Sequence, residues 1–292
     1  MSADCGEGYL IEDQPDGRTL VVTGRWTPEA SAAVERPDVD GLSLNYARGY
    51  AEPDLSFIEP WPIRRLVVLD RSVTDLTSLA RLGSTLERLS LQAAPGASLD
   101  LALLPHLVSL GADWDVIADT FYAPEYLGKV VIRDYAEADL EALAVQPSLQ
   151  DIQLKPASKL ETLEGAESFP TLTTLKIVEA RNLRDIETLG AVAKTLRDLT
   201  FESCLDLYEI EAIAALTELR FLGIEDCGRI ATINPLAELT RLECLYAWGS
   251  TRVEDGDLSP LLQLASLKEI RMRDRREYQP SLEAVKVKLG CA

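Results

Sequence analysis

The chain has 292 residues, 47% of them hydrophobic, which is enough to bury a large core, and it carries 29 Lys+Arg against 48 Asp+Glu for a net charge of −19. That balance argues against non-specific binding to nucleic acid or to an anionic membrane and favours a basic partner. No apolar run reaches the roughly 18 residues of a membrane span, and the first residues lack a basic stretch followed by an apolar one, so the expectation is a cytoplasmic protein.

In chain order, Tyr9-Leu-Ile-Glu-Asp and Arg18-Thr-Leu-Val-Val read as two strands around a turn at Pro15-Asp16-Gly17. Thr27 to Val34 follows as a short helix, with Thr27 as N-cap, Pro28 at the first helical position and Glu29 in the first turn. Tyr46 to Trp61 is an irregular, proline-bearing insertion. From there on one signature dominates, L-x-x-L-x-L. It reads Leu86-x-x-Leu89-x-Leu91, Leu149-x-x-Ile152-x-Leu154, Leu172-x-x-Leu175-x-Ile177, Leu196-x-x-Leu199-x-Phe201, Leu219-x-x-Leu222-x-Ile224 and Leu267-x-x-Ile270-x-Met272.

The middle apolar position of each unit falls at Leu20, Leu42, Leu66, Leu89, Leu110, Val130, Ile152, Leu175, Leu199, Leu222, Leu245 and Ile270, at intervals of 20 to 25 residues. A repeat of that length marks a solenoid. Apolar residues alternate within the signature, as in a half-buried strand. The stretch that follows changes period: Leu183, Ile186, Leu189 and Val192 are spaced by three, as are Leu207, Ile210, Ile213 and Leu216. A strand plus one helical turn cannot bury its apolar edge alone, whereas stacking on the next unit can. Pro280 to Leu289 reads as a closing amphipathic helix.

This pattern resembles the leucine-rich repeat family over nearly the whole chain. The run IATINPLAELTRLECLYA (230–247) is similar to the bacterial, internalin-like repeat type. The resemblance implies an α/β fold: a right-handed leucine-rich repeat solenoid, or horseshoe, with a parallel β-sheet on the concave face and short helices or 3₁₀ turns on the convex face. The corresponding organisation is a single domain, 1–292, with an N-terminal cap at 1–38, repeats at 39–275 and a C-terminal capping helix at 276–292. The family's ninth repeat position usually holds Asn or Cys; here it is occupied by Ala94, Asp115, Tyr135, Ala157, Ala180, Cys204, Cys227, Ser250 and Arg275. Cys204 and Cys227 read as buried structural thiols one repeat apart.

Catalytic arrangements are hard to find. His106 is the single histidine, and it sits in a Leu-Pro-His-Leu run before a strand, where a structural role is expected. The five cysteines form no C-x-x-C, and Glu254-Asp255-Gly256-Asp257 lacks the later bidentate Glu of a calcium loop. No catalytic, metal or cofactor site is therefore expected.

The resemblance implies recognition of another protein on the concave face, where the side chains alternating with the core positions would lie. Among these, Phe221, Tyr246 and Trp248, flanked by Arg271 and Arg273 and preceded by the acidic Glu202, Glu225 and Asp226, form the expected site, since Trp, Tyr and Arg are the commonest interface anchors. Trp114 is expected as a separate anchor nearer the N-terminus. The expected function is a non-enzymatic protein-protein interaction module with a basic partner. Two alternatives are an enzyme, hydrolase or ligase, with a carboxylate site at Glu225-Asp226, and a self-associating scaffold.

Overall fold

In a computed structural model, residues 4–291 are described, and the outermost residues of the two expected caps, 1–3 and 292, lie outside the described residues. The chain divides into two compact units, Met1–Val130 and Val131–Ala292.

The first unit opens with β1 (Asp4–Gly6), β2 (Tyr9–Gln14) and β3 (Gly17–Val22), paired antiparallel in that order. Helix α1 (Pro28–Val34) begins where the Thr27 side chain accepts the Ala30 N–H at 3.1 Å. From β3 the ladder turns parallel and runs through β4 (Gly41–Asn45), β5 (Arg65–Leu69), β6 (Arg88–Gln92) and β7 (Ser109–Asp113). Its register joins Leu20, Leu42, Leu66, Leu89 and Leu110 in one row, all of them buried. The repeat interval read from the sequence is thus the length of chain that returns a leucine to the same interior row. The insertion after β4 packs through its aromatics: Trp26 stacks on Phe57 at 4.6 Å and lies 5.1 Å from Trp61, between ring centroids. β8 (Lys129–Arg133) begins in the first unit and ends in the second.

The second unit repeats the scheme more strictly. β9 (Asp151–Leu154), β10 (Thr174–Val178), β11 (Asp198–Glu202), β12 (Phe221–Glu225), β14 (Cys244–Ala247) and β16 (Glu269–Met272) pair in parallel. Ile152, Leu175, Leu199, Leu222, Leu245 and Ile270 share one buried row. A second, two-stranded ladder pairs β13 (Arg229–Ile230) with β15 (Arg252–Val253). The returning segments include 3₁₀ helices at Glu187–Val192, Glu211–Ala215, Asn234–Glu238 and Ser259–Gln263. That explains part of the spacing of three: a 3₁₀ helix has three residues per turn, so Leu189 and Val192 are buried from the same side of Glu187–Val192, while Leu183 and Ile186 are buried from the segment that leads into it. The chain closes with α3 (Leu282–Leu289), capped by Ser281, whose hydroxyl accepts the Ala284 N–H, and buried through Leu282 and Val285.

The turns out of β8, β10, β11 and β12 carry a local strain. Asp134, Glu179, Ser203 and Asp226 all have positive φ, between 52° and 58°, a region that costs a non-glycine residue roughly 1–2 kcal/mol. Each sits one residue before an inward-pointing side chain: Tyr135, Ala180, Cys204 and Cys227, all buried. The two thiols among them face backbone carbonyls. The Cys227 thiol lies within reach of the Phe201 and Glu225 carbonyls at 3.4 and 3.3 Å, and Cys204 within 3.8 and 3.7 Å of those of Ile177 and Glu202. One repeat later the sequence assignment shifts by one residue. Gly249 takes the positive φ, Ser250 stays exposed, and the buried side chain is Thr251. Its hydroxyl donates to the Ile224 carbonyl at 2.7 Å and accepts the Cys227 N–H at 3.0 Å, so this rung satisfies a backbone donor and an acceptor together.

Candidate functional site

Side chains on the face of the sheet opposite the core fall into register rows in the second unit. One row reads Asp151, Thr174, Asp198, Phe221, Cys244, Glu269, and the next reads Gln153, Lys176, Thr200, Gly223, Tyr246, Arg271. A third holds Val178, Glu202 and Glu225. Neighbours within a row are cross-strand partners, close enough to interact directly.

The aromatic cluster expected from the sequence assembles here. Phe221 and Tyr246 meet edge to face, with ring centroids 5.0 Å apart and planes at 77°. The Arg271 guanidinium lies over the Tyr246 ring, 4.5 Å from its centroid, and its Nε donates to Glu269 Oε1 at 2.6 Å. Both rings stay half-exposed, and Trp248 beyond β14 is 58% exposed. Arg273 follows β16 and is also exposed.

The acidic members take different roles. Glu202 pairs with Lys176 at 2.8 Å. Asp226 is used to build the loop: its Oδ1 accepts the Ser250 N–H at 2.8 Å, one repeat further on. Glu225 has neither an ion pair nor a hydrogen bond to its carboxylate among the described residues. Partial burial, and then the charge of Glu202, push its carboxyl above the usual range.

Trp114 does not join this site or any exposed surface. It is 5% exposed, and its indole meets Phe121 at 5.5 Å and 67°. The reason is local. β7 ends at Asp113 and the chain turns at once into a helical turn, α2 (Trp114–Ile117), which directs Trp114, Val116 and Ile117 into the core. The expectation of an anchor at Trp114 is therefore corrected: the strand alternation that would have exposed it has already stopped.

The rows bring in residues that the aromatic and charged choice left out, chiefly Asp198, Thr200, Gly223 and Glu269. Each sits at the same offset from a core leucine as a chosen residue, so the repeat itself was the signal. Elsewhere, His106 is exposed and lines a shallow groove of the first unit with Arg64, Glu87 and Tyr126. Of the acidic loop, Glu254 accepts from the Tyr208 hydroxyl and pairs with Arg229, while Asp255 and Asp257 cap backbone N–H groups of Asp257 and Ser259. Among the described residues no group of three His, Cys, Asp or Glu is placed to hold a metal ion, and no helix is long and apolar enough to cross a membrane.

No protein-family profile matches the chain. A curated relative, the disease resistance protein RPP2A of Arabidopsis thaliana, is 30% identical over 122 residues, which are 41% of this chain and 9% of that protein. Among solved structures, an internalin (InlF) of Listeria monocytogenes superposes with a TM-score of 0.60 at 18% identity, over 87% of this chain and 73% of that one. Internalin C2 of the same organism gives 0.38 at 20% identity, over 69% of this chain and 77% of that one. The Leptospira interrogans leucine-rich repeat protein LIC12759 gives 0.35 at 13%, over 94% and 88%. Only the first superposition is close enough to speak to the fold, and it agrees with the ladder of stacked strands, 3₁₀ returns and single leucine row found in each unit. The chain has a leucine-rich repeat fold.

Proposed function

We propose that the chain is a non-enzymatic recognition module that binds another protein on the outward sheet face of its second unit, centred on Phe221, Tyr246 and Trp248. The observation that carries this reading is the half-exposed Phe221–Tyr246 pair with Arg271 stacked on it and Trp248 open beside it. Large aromatic rings held in fixed geometry at a surface lose little entropy on binding, which is why such residues dominate interface energetics. Glu202, Glu225 and Asp226 in front and Arg273 behind complete the patch. A basic partner fits the net charge of −19 and the unpaired Glu225. The alternative of an enzyme built on Glu225-Asp226 is weakened because Asp226 is committed to holding the Ser250 loop.

The test is retention of a partner from lysate of the source organism by the immobilised chain, followed by affinity measurement with the purified partner. Tyr246→Ala and Trp248→Ala should each weaken binding by about 2 kcal/mol, or about 30-fold. Association should also slow as salt is added, through loss of electrostatic steering. Unchanged affinity in both variants would end this reading.

A further inference from the structure

Resting on that reading, the geometry of one position in the patch points to the chemistry of the partner. Gly223 occupies the centre of the face, with Thr200 and Tyr246 beside it in register and Phe221 and Glu225 two residues away on the same strand. Having no side chain, it leaves room where every neighbouring strand presents a group, and the side chains around it cover its backbone, so that Gly223 itself is buried. Glu225 folds back over this gap: a Cβ built on Gly223 would come within 3.4 Å of Glu225 Oε1, and within 3.2 and 3.3 Å of Thr200 Cγ2 and Oγ1. A carboxylate is thereby held over the strand position that lies between Phe221 and Glu225 and opposite Tyr246.

On the next two strands a set of three groups, ring, cation and carboxylate, is complete. Tyr246 provides a ring, Arg271 a guanidinium stacked on it, and Glu269 the carboxylate that pairs with that guanidinium. Around Phe221 the ring and the carboxylates of Glu225 and Asp198 are present but no cation is paired with them: Lys176 and Arg271 reach Glu225, and Arg220 reaches Asp198, only through their charge. Lys176 is engaged with Glu202 and Arg271 with Glu269. Neither Glu225 nor Asp198 has an ion pair among the described residues. Asp198 is raised in the same direction as Glu225, by partial burial and by Asp151.

We propose that the protein partner supplies an arginine, whose guanidinium stacks on Phe221 and pairs with Glu225 over Gly223. Arginine rather than lysine fits because its planar guanidinium can lie on a ring face while its fork of N–H donors meets a carboxylate, as Arg271 already does in this chain. The excess negative charge of the chain attracts such a partner from a distance.

The test is an NMR titration of the full chain with capped peptides of the form Gly-Xaa-Gly-Xaa-Gly, in which Xaa is arginine, lysine or citrulline. The arginine peptide should shift the amides of Phe221, Gly223 and Tyr246 saturably, and citrulline, which keeps the shape without the charge, should not. Glu225→Gln, a near-isosteric change, should weaken the arginine peptide at least about tenfold. Because burial and Glu202 raise the Glu225 pKa, the affinity should be full above that pKa and fall as the pH drops through it, while Glu225→Gln flattens this dependence. Arginine and citrulline peptides binding alike, lysine binding as well as arginine, an unaffected Glu225→Gln variant, or no saturable shift up to about 20 mM peptide would each overturn the proposal. With the purified partner the two readings separate. Loss of binding in Tyr246→Ala or Trp248→Ala with none in Glu225→Gln keeps protein recognition and discards the arginine, whereas no loss in any of the three discards both.

Discussion

The outward sheet faces of the two units are built on the same ladder and use their charges in opposite ways. In the first unit the charged residues neutralise one another. Arg65, whose side chain is 14% exposed, bridges Asp16 and Asp40, and Arg88 also reaches Asp16. The neighbouring row there is small and largely uncharged: Val21, Ser43, Val67, Ser90 and Gly111. In the second unit, aromatic rings stand half-exposed and Glu225 forms no ion pair among the described residues, with Lys176 and Arg271 acting on it only at a distance. Closed ion networks on one face and an incomplete set of groups on the other distinguish a surface that stabilises its own unit from one with capacity left for a partner.

The two tryptophans of greatest contrast test this distinction most severely. Trp114→Ala should cost the first unit about 3–5 kcal/mol, since it opens a cavity beside Phe121. Trp248→Ala should change stability by no more than about 0.5 kcal/mol, as for an ordinary surface residue. Chemical denaturation of both variants checks this, and equal losses would erase the contrast between core and recognition tryptophans. Next in size, Arg65→Met leaves Asp16 and Asp40 without their shared cation and should destabilise by about 1–3 kcal/mol. An unchanged denaturation midpoint would mean that the first face is not held by its own charges.

Thr251→Val removes the buried hydroxyl that serves both Cys227 and Ile224, at a cost of about 1–3 kcal/mol. A change of similar volume isolates the hydrogen bonds from packing. The smallest effects are expected at the positive-φ residues. Ser203→Gly relieves backbone strain but adds freedom to the unfolded chain, so its net change should stay within about 0.5 kcal/mol. Asp226→Gly also loses the bond to Ser250 and should be worse by about 1 kcal/mol. Equal behaviour of the two would show that Asp226 has no special part in shaping the edge of the site.

The legible part of this molecule was the part repeated many times over. Each central apolar position is a separate instance of one burial requirement, and even Leu20 and Leu42, where the signature is degenerate, enter the same row as Leu66. The thiols at Cys204 and Cys227 were legible for the same reason, because residues one repeat apart at equal offset fall in neighbouring slots, and the Phe221–Tyr246 neighbourhood because both lie on the outward face of adjacent strands, two residues apart in register. Trp114 failed because it lies one residue past the end of its strand, where a helical turn replaces alternation. Ser250 was misassigned because the Trp248-Gly249 turn holds one more residue than its counterparts.

Period and pattern by themselves therefore determined the stacked strands, the interior leucine rows and the set of side chains facing outward, since these follow from the need of every repeat to hide the same edge. Which carboxylates found a counter-ion, which tryptophan turned inward, and how Glu225 came to lie over Gly223 were decided only by the tertiary structure. These depend on side-chain reach between strands some twenty residues apart and on single-residue shifts in turns, and no regularity of the sequence encodes either.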